Sequence, residues 1–254
     1  MLRVTGEDKM IDGFILSIQF LTRLPIRKPV YFNDKSLSRS ILFFPLVGLV
    51  IGGMGGIFYY IFQHINENIG SIFALLSMII VTGGLHLDGL SDTCDGFLSY
   101  RERDRVLQIM KDSRIGAFGV MAIVLDILLK YILILSLKGN IPLILALSWS
   151  NSRLVTGYLM STKKVAKNEG IGYMFYKSKP QKYVLIGGMG YVIIVLLAGP
   201  VYLLPLLSTF LVGQVMTKIT YKKIGGFTGD VYGATIELGE MASLLTFLGV
   251  LKWI

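Results

Sequence analysis

Three aspartates stand at i, i+4 and i+7 in the run Asp88-Gly-Leu-Ser-Asp92-Thr-Cys-Asp95, at the end of a long apolar stretch. On a helix that spacing puts the three carboxylates on one face. Gathering like charges in or beside a bilayer is costly, so such a cluster persists where a cation neutralises it and water reaches it. Carboxylate oxygens together with water are hard ligands that suit Mg²⁺ or Mn²⁺. Because Mg²⁺ also takes phosphate oxygens from substrates, Asp88, Asp92 and Asp95 read as metal ligands for phosphoryl chemistry. The plainer alternative, aspartates that cap and solvate a helix end, explains one such residue better than three.

Other polar groups flank this run. Lys111-Asp112-Ser113-Arg114 precedes another apolar stretch. Its two cations, hydroxyl and helix amino terminus can receive phosphate oxygens, and Asp112 can complete a metal shell or act as a base. An ordinary basic anchor with Asp112 or Ser113 as N-cap explains the same residues equally well. Gly225-Gly-Phe-Thr-Gly229-Asp230-Val-Tyr-Gly233 is a glycine-rich loop entering a helix, suited to close over phosphate or to add an acid. Asp230 and Glu237 share a helix face. His86, two residues before Asp88, is a candidate base or supporting donor, or else a structural hydrogen bonder. Asp126 and Lys130, i and i+4 within an apolar stretch, read as a mutually neutralising pair. Arg153, inside another, requires an acid or a phosphate. The glycines Gly52, Gly53, Gly55, Gly56, Gly187, Gly188 and Gly190 lack a following Lys-Ser/Thr and read as helix-packing surfaces. Cys94 has no chemical partner in the sequence and reads as a filler.

These residues need a membrane scaffold to position them. The chain has 254 residues, 53% hydrophobic and 16% charged, with mean hydropathy +0.65. That composition excludes an ordinary soluble domain and predicts an all-α, polytopic integral membrane helical bundle forming one domain over residues 1–254. Crossing the hydrocarbon takes roughly 20 residues per helix. Strong windows are Ile41 to Phe62, Ser71 to Leu87, Pro142 to Leu159 and Tyr183 to Leu204; weaker ones are Ala117 to Leu137, Pro205 to Thr217 and Met241 to Ile254. About seven transmembrane helices are expected. Residues 1–40 show no cleavable signal and read as a cytoplasmic and interfacial segment. In it Ile11, Phe14, Ile15, Ile18, Leu21 and Leu24 recur at helical spacing, as in an amphipathic helix lying in the bilayer interface. The single cysteine excludes an intrachain disulfide framework.

Most of the 25 Lys and Arg residues fall before the first span, between Arg101 and Arg114, between Lys163 and Lys182, and between Lys218 and Lys223. With seven spans, all four segments share one side. The positive-inside rule makes that side cytoplasmic in a multi-pass cell-membrane protein, and it accounts for the net charge of +9 without nucleic acid. The acid cluster, the Lys111 to Arg114 run and Asp230 fall at the same face. Charged groups gathered there suit a soluble, charged substrate.

His86-Leu-Asp88-Gly-Leu-Ser-Asp92-Thr-Cys-Asp95-Gly96, followed by Ile109-Met-Lys111-Asp112-Ser113-Arg114-Ile-Gly-Ala117-Phe-Gly119, resembles the cobalamin synthase family, the adenosylcobinamide-GDP ribazoletransferases. Phe20-Leu-Thr-Arg23-Leu-Pro25, Phe44-Pro45-Leu-Val-Gly48 and Thr228-Gly229-Asp230-Val-Tyr-Gly233-Ala234 extend the resemblance over nearly the whole chain. The chain departs from the expected Ala-Arg-Pro-x-Gly-x-Gly at Ala166-Lys-Asn-Glu-Gly170-Ile-Gly172. The resemblance implies a transferase of cobalamin biosynthesis whose substrates are adenosylcobinamide-GDP and α-ribazole or its 5′-phosphate. It further implies Mg²⁺, with Mn²⁺ as the alternative, clamped by Asp88, Asp92 and Asp95. Asp95 or Asp112 would be the base, with His86 beside them. Lys111, Ser113, Arg114, Arg153, Gly229 and Asp230 would contact substrate. A cation-coupled transporter is the rival suggested by Asp126, Lys130 and Arg153 within spans, and a non-catalytic scaffold is a third reading. The sequence is compatible with a homo-oligomer and leaves the oligomeric state open.

Overall fold

A computed structural model describes residues 10–251. These residues form helices α1 (Met10–Leu21), α2 (Asp34–Ser40), α3 (Phe44–Phe62), α4 (Glu67–Thr82), α5 (Leu85–Phe97) and α6 (Arg103–Ile109). They continue as α7 (Ala117–Ser136), α8 (Ile141–Thr162), α9 (Gly170–Lys177), α10 (Gln181–Ala198), α11 (Leu203–Ile224) and α12 (Gly229–Val250). No strand is present among the described residues, and one isolated bridge joins Val165 to Phe227. The architecture is the expected helical bundle.

Helices α3, α7, α10 and α12 leave one end of the bundle, and α4, α8 and α11 return to it. Seven helices therefore traverse the bundle, but not all have a membrane-span composition. Five runs are long and apolar enough to cross a membrane, namely Asp34–Phe62, Ala117–Ser136, Gln181–Ala198, Pro200–Ile224 and Gly229–Val250. The bent pair α4 and α5 makes six if counted as one span. The last predicted window began too late, since its helix starts at Gly229, and its final residues, 252–254, lie outside the described part of the chain.

Helix α8 falls short in composition because Ser148-Trp-Ser150-Asn-Ser152-Arg153 occupies its middle. It tolerates those residues by lying inside, against α3, α10, α11 and α12. Away from water every buried polar group needs an internal partner. Ser150 Oγ donates to the Pro45 carbonyl at 2.6 Å, Asn151 Nδ2 to Ser243 Oγ at 3.0 Å, and Tyr191 Oη to Asn151 Oδ1 at 2.7 Å. The glycine surfaces of α3 pack as their spacing predicts: Gly52 and Gly56 meet the α8 backbone and Gly55 meets Met78, whereas Gly53 faces open space. Gly187 meets the Leu42 carbonyl, Gly188 lies against Leu154, and Gly190 is open. Exposed Met121, Leu125, Leu128 and Ile132 on α7, with Leu185, Met189, Ile193 and Leu197 on α10, form the outer apolar surface that a bilayer covers.

The window Ser71 to Leu87 predicted one span, but the chain turns through 86° between α4 and α5. Gly83 and Gly84 make that corner at φ +64° and +69°, a left-handed conformation that side chains with a Cβ resist. Helix α5 therefore crosses the end of the bundle with its acids. Helix α1 departs from a free interfacial helix: Ile15, Leu16 and Leu21 are buried, and α1 packs on α2 and the turn before α3, leaving Met10 and Ile11 exposed.

The basic segments meet in one layer at this end. Arg103 Nε donates to the Ile224 carbonyl at 3.0 Å and its Nη2 to the Ala166 carbonyl at 3.1 Å. Lys223 Nζ donates to the Phe97 carbonyl at 2.7 Å, and Phe227 exchanges backbone hydrogen bonds with Lys164 and Ala166. The segments after α5, α8 and α11 are thus on the same side, as the charge distribution predicted.

Candidate active site

Helix α5 lies against the first turn of α12 with almost no space between backbones. A Cβ on Gly89 would stand 2.7 Å from the Asp230 carbonyl oxygen and 3.0 Å from its Cα. Gly233 is seated against His86 in the same seam. This contact sets Asp88 and Asp92 beside Asp230, whose helix is capped by Thr228 Oγ1 accepting from the Val231 amide at 3.3 Å. The charges of Asp88, Asp230 and Asp95 all act on Asp92. Asp88 is exposed, Asp92 and Asp230 are half-buried, and Asp95 is buried. The spacing alone did not reveal that Asp230, from a distant helix, joins the α5 acids.

Asp95 has a different task from its neighbours. Its Oδ2 accepts from the Gly116 amide at 2.7 Å and its Oδ1 from the Gly119 amide at 2.9 Å. A helix amino terminus presents amides without intrahelical partners, and the carboxylate satisfies two of them at the start of α7. Both oxygens being engaged, Asp95 is an anchor between α5 and α7, not the free base its position allowed. A Cβ on Gly119 would overlap this carboxylate. Asp95→Ala is expected to lower stability by about 1–3 kcal/mol, because one buried and one half-buried amide lose their acceptor. Gly119→Val should act in the same direction, and a thermal midpoint measured in detergent checks both.

The Lys111 to Arg114 run forms the exposed link between α6 and α7. Asp112 Oδ1 accepts from the Arg114 amide at 3.1 Å and from its Nε at 3.0 Å, while Oδ2 accepts from Nη2 at 2.7 Å. These bonds hold the Asp112 carboxyl down at about 2. Asp112 is therefore turned to Arg114 and not to the acid cluster, which corrects its expected part as base or metal ligand. Ser113 is exposed. Lys111 Nζ donates to Glu169 Oε1 at 3.0 Å, which lowers the Glu169 carboxyl below its ordinary value. A cavity of about 370 Å³ is lined by this pair together with Lys167, Phe227, Gly229 and Asp230. The departure at residues 166–172 thus forms a wall of this cavity.

A second cavity, of about 170 Å³, opens at Asp88 and Asp230 and reaches toward His86. Below it, Arg153 corrects another expectation. Its Nη1 pairs with Glu240 and donates to Ser152 Oγ at 3.0 Å, while its Nη2 lies 3.3 Å from His86 Nδ1. Arg153 has no acceptor, so His86 Nδ1 accepts and Nε2 carries the proton. With Nδ1 engaged by Arg153, His86 in this arrangement offers a hydrogen-bond donor at Nε2 and not a free base. The Asp126–Lys130 pair exists at 3.2 Å and extends further, because Lys130 Nζ also contacts Glu237 and lies 2.7 Å from Glu240. Arg153 is thus a member of a buried ion network and does not reach the acids of the end face. Sequence reasoning missed this joining of α7, α8 and α12, although Glu237 and Glu240 at i and i+3 were its visible signal.

Residues 13–248 match the family described as cobalamin-5-phosphate synthase. The chain belongs to that family. A protein named adenosylcobinamide-GDP ribazoletransferase from Clostridium novyi (strain NT) is 41% identical over 250 residues, covering 94% of this chain and 98% of the relative. Proteins of the same name from Clostridium botulinum (strain Okra / Type B1) and Treponema denticola are 35% and 36% identical, over 94% and 93% of this chain and 98% and 97% of their own lengths. No solved structure shows a significant match. Membership of the cobalamin-5-phosphate synthase family makes the chain an enzyme of cobalamin biosynthesis. Within that family frame, the acids of α5, the start of α12 and the two cavities are the candidate catalytic region.

Among the described residues, no three His, Cys, Asp or Glu groups are placed to hold a metal ion between them. Mg²⁺ does not need three, since it is commonly bound by one or two carboxylates, with substrate phosphates and water completing its octahedron. Exposed Asp88 and half-buried Asp92, one helical turn apart, fit that kind of donor set.

Proposed function

We propose that this chain is an adenosylcobinamide-GDP ribazoletransferase working at the cytoplasmic face of the cell membrane. A ribose hydroxyl of α-ribazole, or of its 5′-phosphate, attacks the cobinamide-bearing phosphorus of adenosylcobinamide-GDP. A new P–O bond forms, the pyrophosphate P–O bond breaks, GMP leaves, and the hydroxyl proton passes to a base. The observation that carries this reading is the meeting of Asp88, Asp92 and Asp230 beside a cavity whose wall holds Lys111 and Lys167, in a chain of this family.

Asp88 and Asp92 are the residues that would hold Mg²⁺ or Mn²⁺. Such an ion supplies charge neutralisation on the pyrophosphate and on the departing GMP. Lys111 and Lys167 bind phosphate oxygens from the cavity wall, with Gly229 allowing close approach and Ser113 and Arg114 at the exposed margin. Asp230, which lines both cavities, would take the proton of the attacking hydroxyl. Asp112→Ala removes an exposed pair of little energetic consequence and should leave kcat/KM within about twofold. A much larger loss would restore Asp112 to the catalytic group.

The transporter reading rested on charges within spans. Asp126, Lys130 and Arg153 find partners in one another's network, so those charges are accounted for without an ion path. GMP release by purified protein in liposomes, given adenosylcobinamide-GDP and α-ribazole with Mg²⁺ or EDTA, tests the proposal. Release should require both substrates and the metal; its absence from well-folded protein would overturn the reading.

A further inference from the structure

The two cavities share Ile171, Gly172, Gly229 and Asp230 but differ in chemistry. The larger is open to the basic end face, and the smaller runs inward from Asp88 between α1, α5, α8 and α12. Leu21, Leu85, Met160 and Ile236 make its walls. Between the cavities stand two stacked rings, Phe227 facing the larger and Tyr232 the smaller, with centroids 4.8 Å apart and planes at 13°. Tyr232 is held from behind by Gly172, where a Cβ would stand 3.1 Å from its ring.

We infer that the inner cavity is the subsite for the base of α-ribazole, so that Met160 and Ile236 select which lower-ligand base is accepted. This rests on the proposed transferase reading and assigns the two halves of the reaction to separate cavities. An apolar cavity of about 150 Å³ is enough to admit a benzene ring, and this one is about 170 Å³ and open toward Asp88. A benzimidazole base carries one free ring nitrogen, so its burial needs few polar partners. Thr156 in the wall has a buried hydroxyl with no hydrogen-bond partner, and so does Tyr232. The apolar walls at Leu21, Leu85, Met160 and Ile236 suit a ring with few polar atoms, whereas the larger cavity offers the ammonium groups of Lys111 and Lys167 to a diphosphate. The guanosine diphosphate portion therefore belongs in the larger cavity with Lys111 and Lys167. With the base inside and the diphosphate outside, the ribose hydroxyl comes to Asp230, where the cavities join.

The test is steady-state GMP release in detergent by Ile236→Phe and by Met160→Ala, with each substrate varied in turn. Ile236→Phe fills the cavity and should raise KM for α-ribazole about tenfold or more while KM for adenosylcobinamide-GDP stays within about twofold. Met160→Ala enlarges it and should shift kcat/KM about tenfold toward a naphthimidazole riboside relative to α-ribazole. Equal changes in both KM values, a change confined to adenosylcobinamide-GDP, or unaltered base preference in Met160→Ala would overturn the assignment. The Met160→Ala arm decides if Ile236→Phe does not fold. Should wild-type protein release no GMP, the transferase reading fails separately. The cavity is then tested by α-ribazole fluorescence on binding to wild-type protein and Met160→Ala: saturable binding that weakens in the variant supports the subsite, and no binding overturns it.

Discussion

Asp92→Asn is expected to reduce GMP release about 10²–10³-fold, the usual loss when a group stabilising transition-state charge is removed. The substitution keeps the side chain's shape and removes one charge where Asp88, Asp230 and Asp95 already act on Asp92. Relief of like-charge repulsion means the folded protein should be no less stable, so the thermal midpoint in detergent should hold or rise while turnover collapses. That opposition separates a catalytic role from a structural one. Asp88→Asn should behave in the same way, and both variants should need more Mg²⁺ for whatever turnover remains. Full turnover with unchanged Mg²⁺ dependence in Asp92→Asn would remove the metal-holding role from α5.

Lys130→Met should have the opposite profile, with stability as its primary loss. Lys130 is buried and its ammonium contacts Asp126, Glu237 and Glu240 at once. Without it, three buried carboxylates face Arg153 alone. Breaking a buried ion pair from one side costs about 3–5 kcal/mol, since the remaining charge has no compensation. The expected result is a large fall in thermal midpoint and in the yield of monodisperse protein. Lys130→Met combined with Glu237→Gln removes one cation and one anion together and should recover part of the loss, as interacting neighbours are not additive. An unchanged midpoint in the single variant would show that these charges are neutralised by other means.

Much of the bundle was legible because bilayers impose simple rules. Apolar windows located α3, α7, α10 and much of α11, and the Lys and Arg distribution brought the segments after α5, α8 and α11 to one end. The errors have particular causes. The window over Ser71 to Leu87 was apolar throughout, but hydropathy does not register the two left-handed glycines that break it. Helix α8 traverses the bundle as its window predicted, but its serines, Asn151 and Arg153 suit a helix enclosed by other helices and not one that faces lipid. For α1, periodicity found the apolar face but not the protein surface that covers it.

At the site, spacing put Asp88 and Asp92 on one stretch of helix α5, as the structure has them, because helical periodicity is a local property. The same periodicity grouped Asp95 with them, yet whether a carboxylate stays free depends on which amides approach it, and Gly116 and Gly119 approach Asp95. Asp112 and Arg114 satisfied one another two residues apart, a short-range pairing that the motif alone left undecided against phosphate. Arg153 required an acid by burial, but its choice of Glu240 was settled by how α8 and α12 pack. The sequence by itself determined an all-helical membrane bundle, the family, and the acids and bases held at one end. The bundle and the placement of its charges follow from composition, helical period and the energetic cost of charge in hydrocarbon, and the family from the motifs at residues 86–96, 109–119 and 228–234. The tertiary structure alone decided that Asp230 joins α5, that Asp95 is an anchor, that the mid-bundle charges neutralise each other, and that two cavities of unlike polarity meet at Asp230. Such outcomes depend on side chains far apart in sequence reaching hydrogen-bonding distance, which no local spacing encodes.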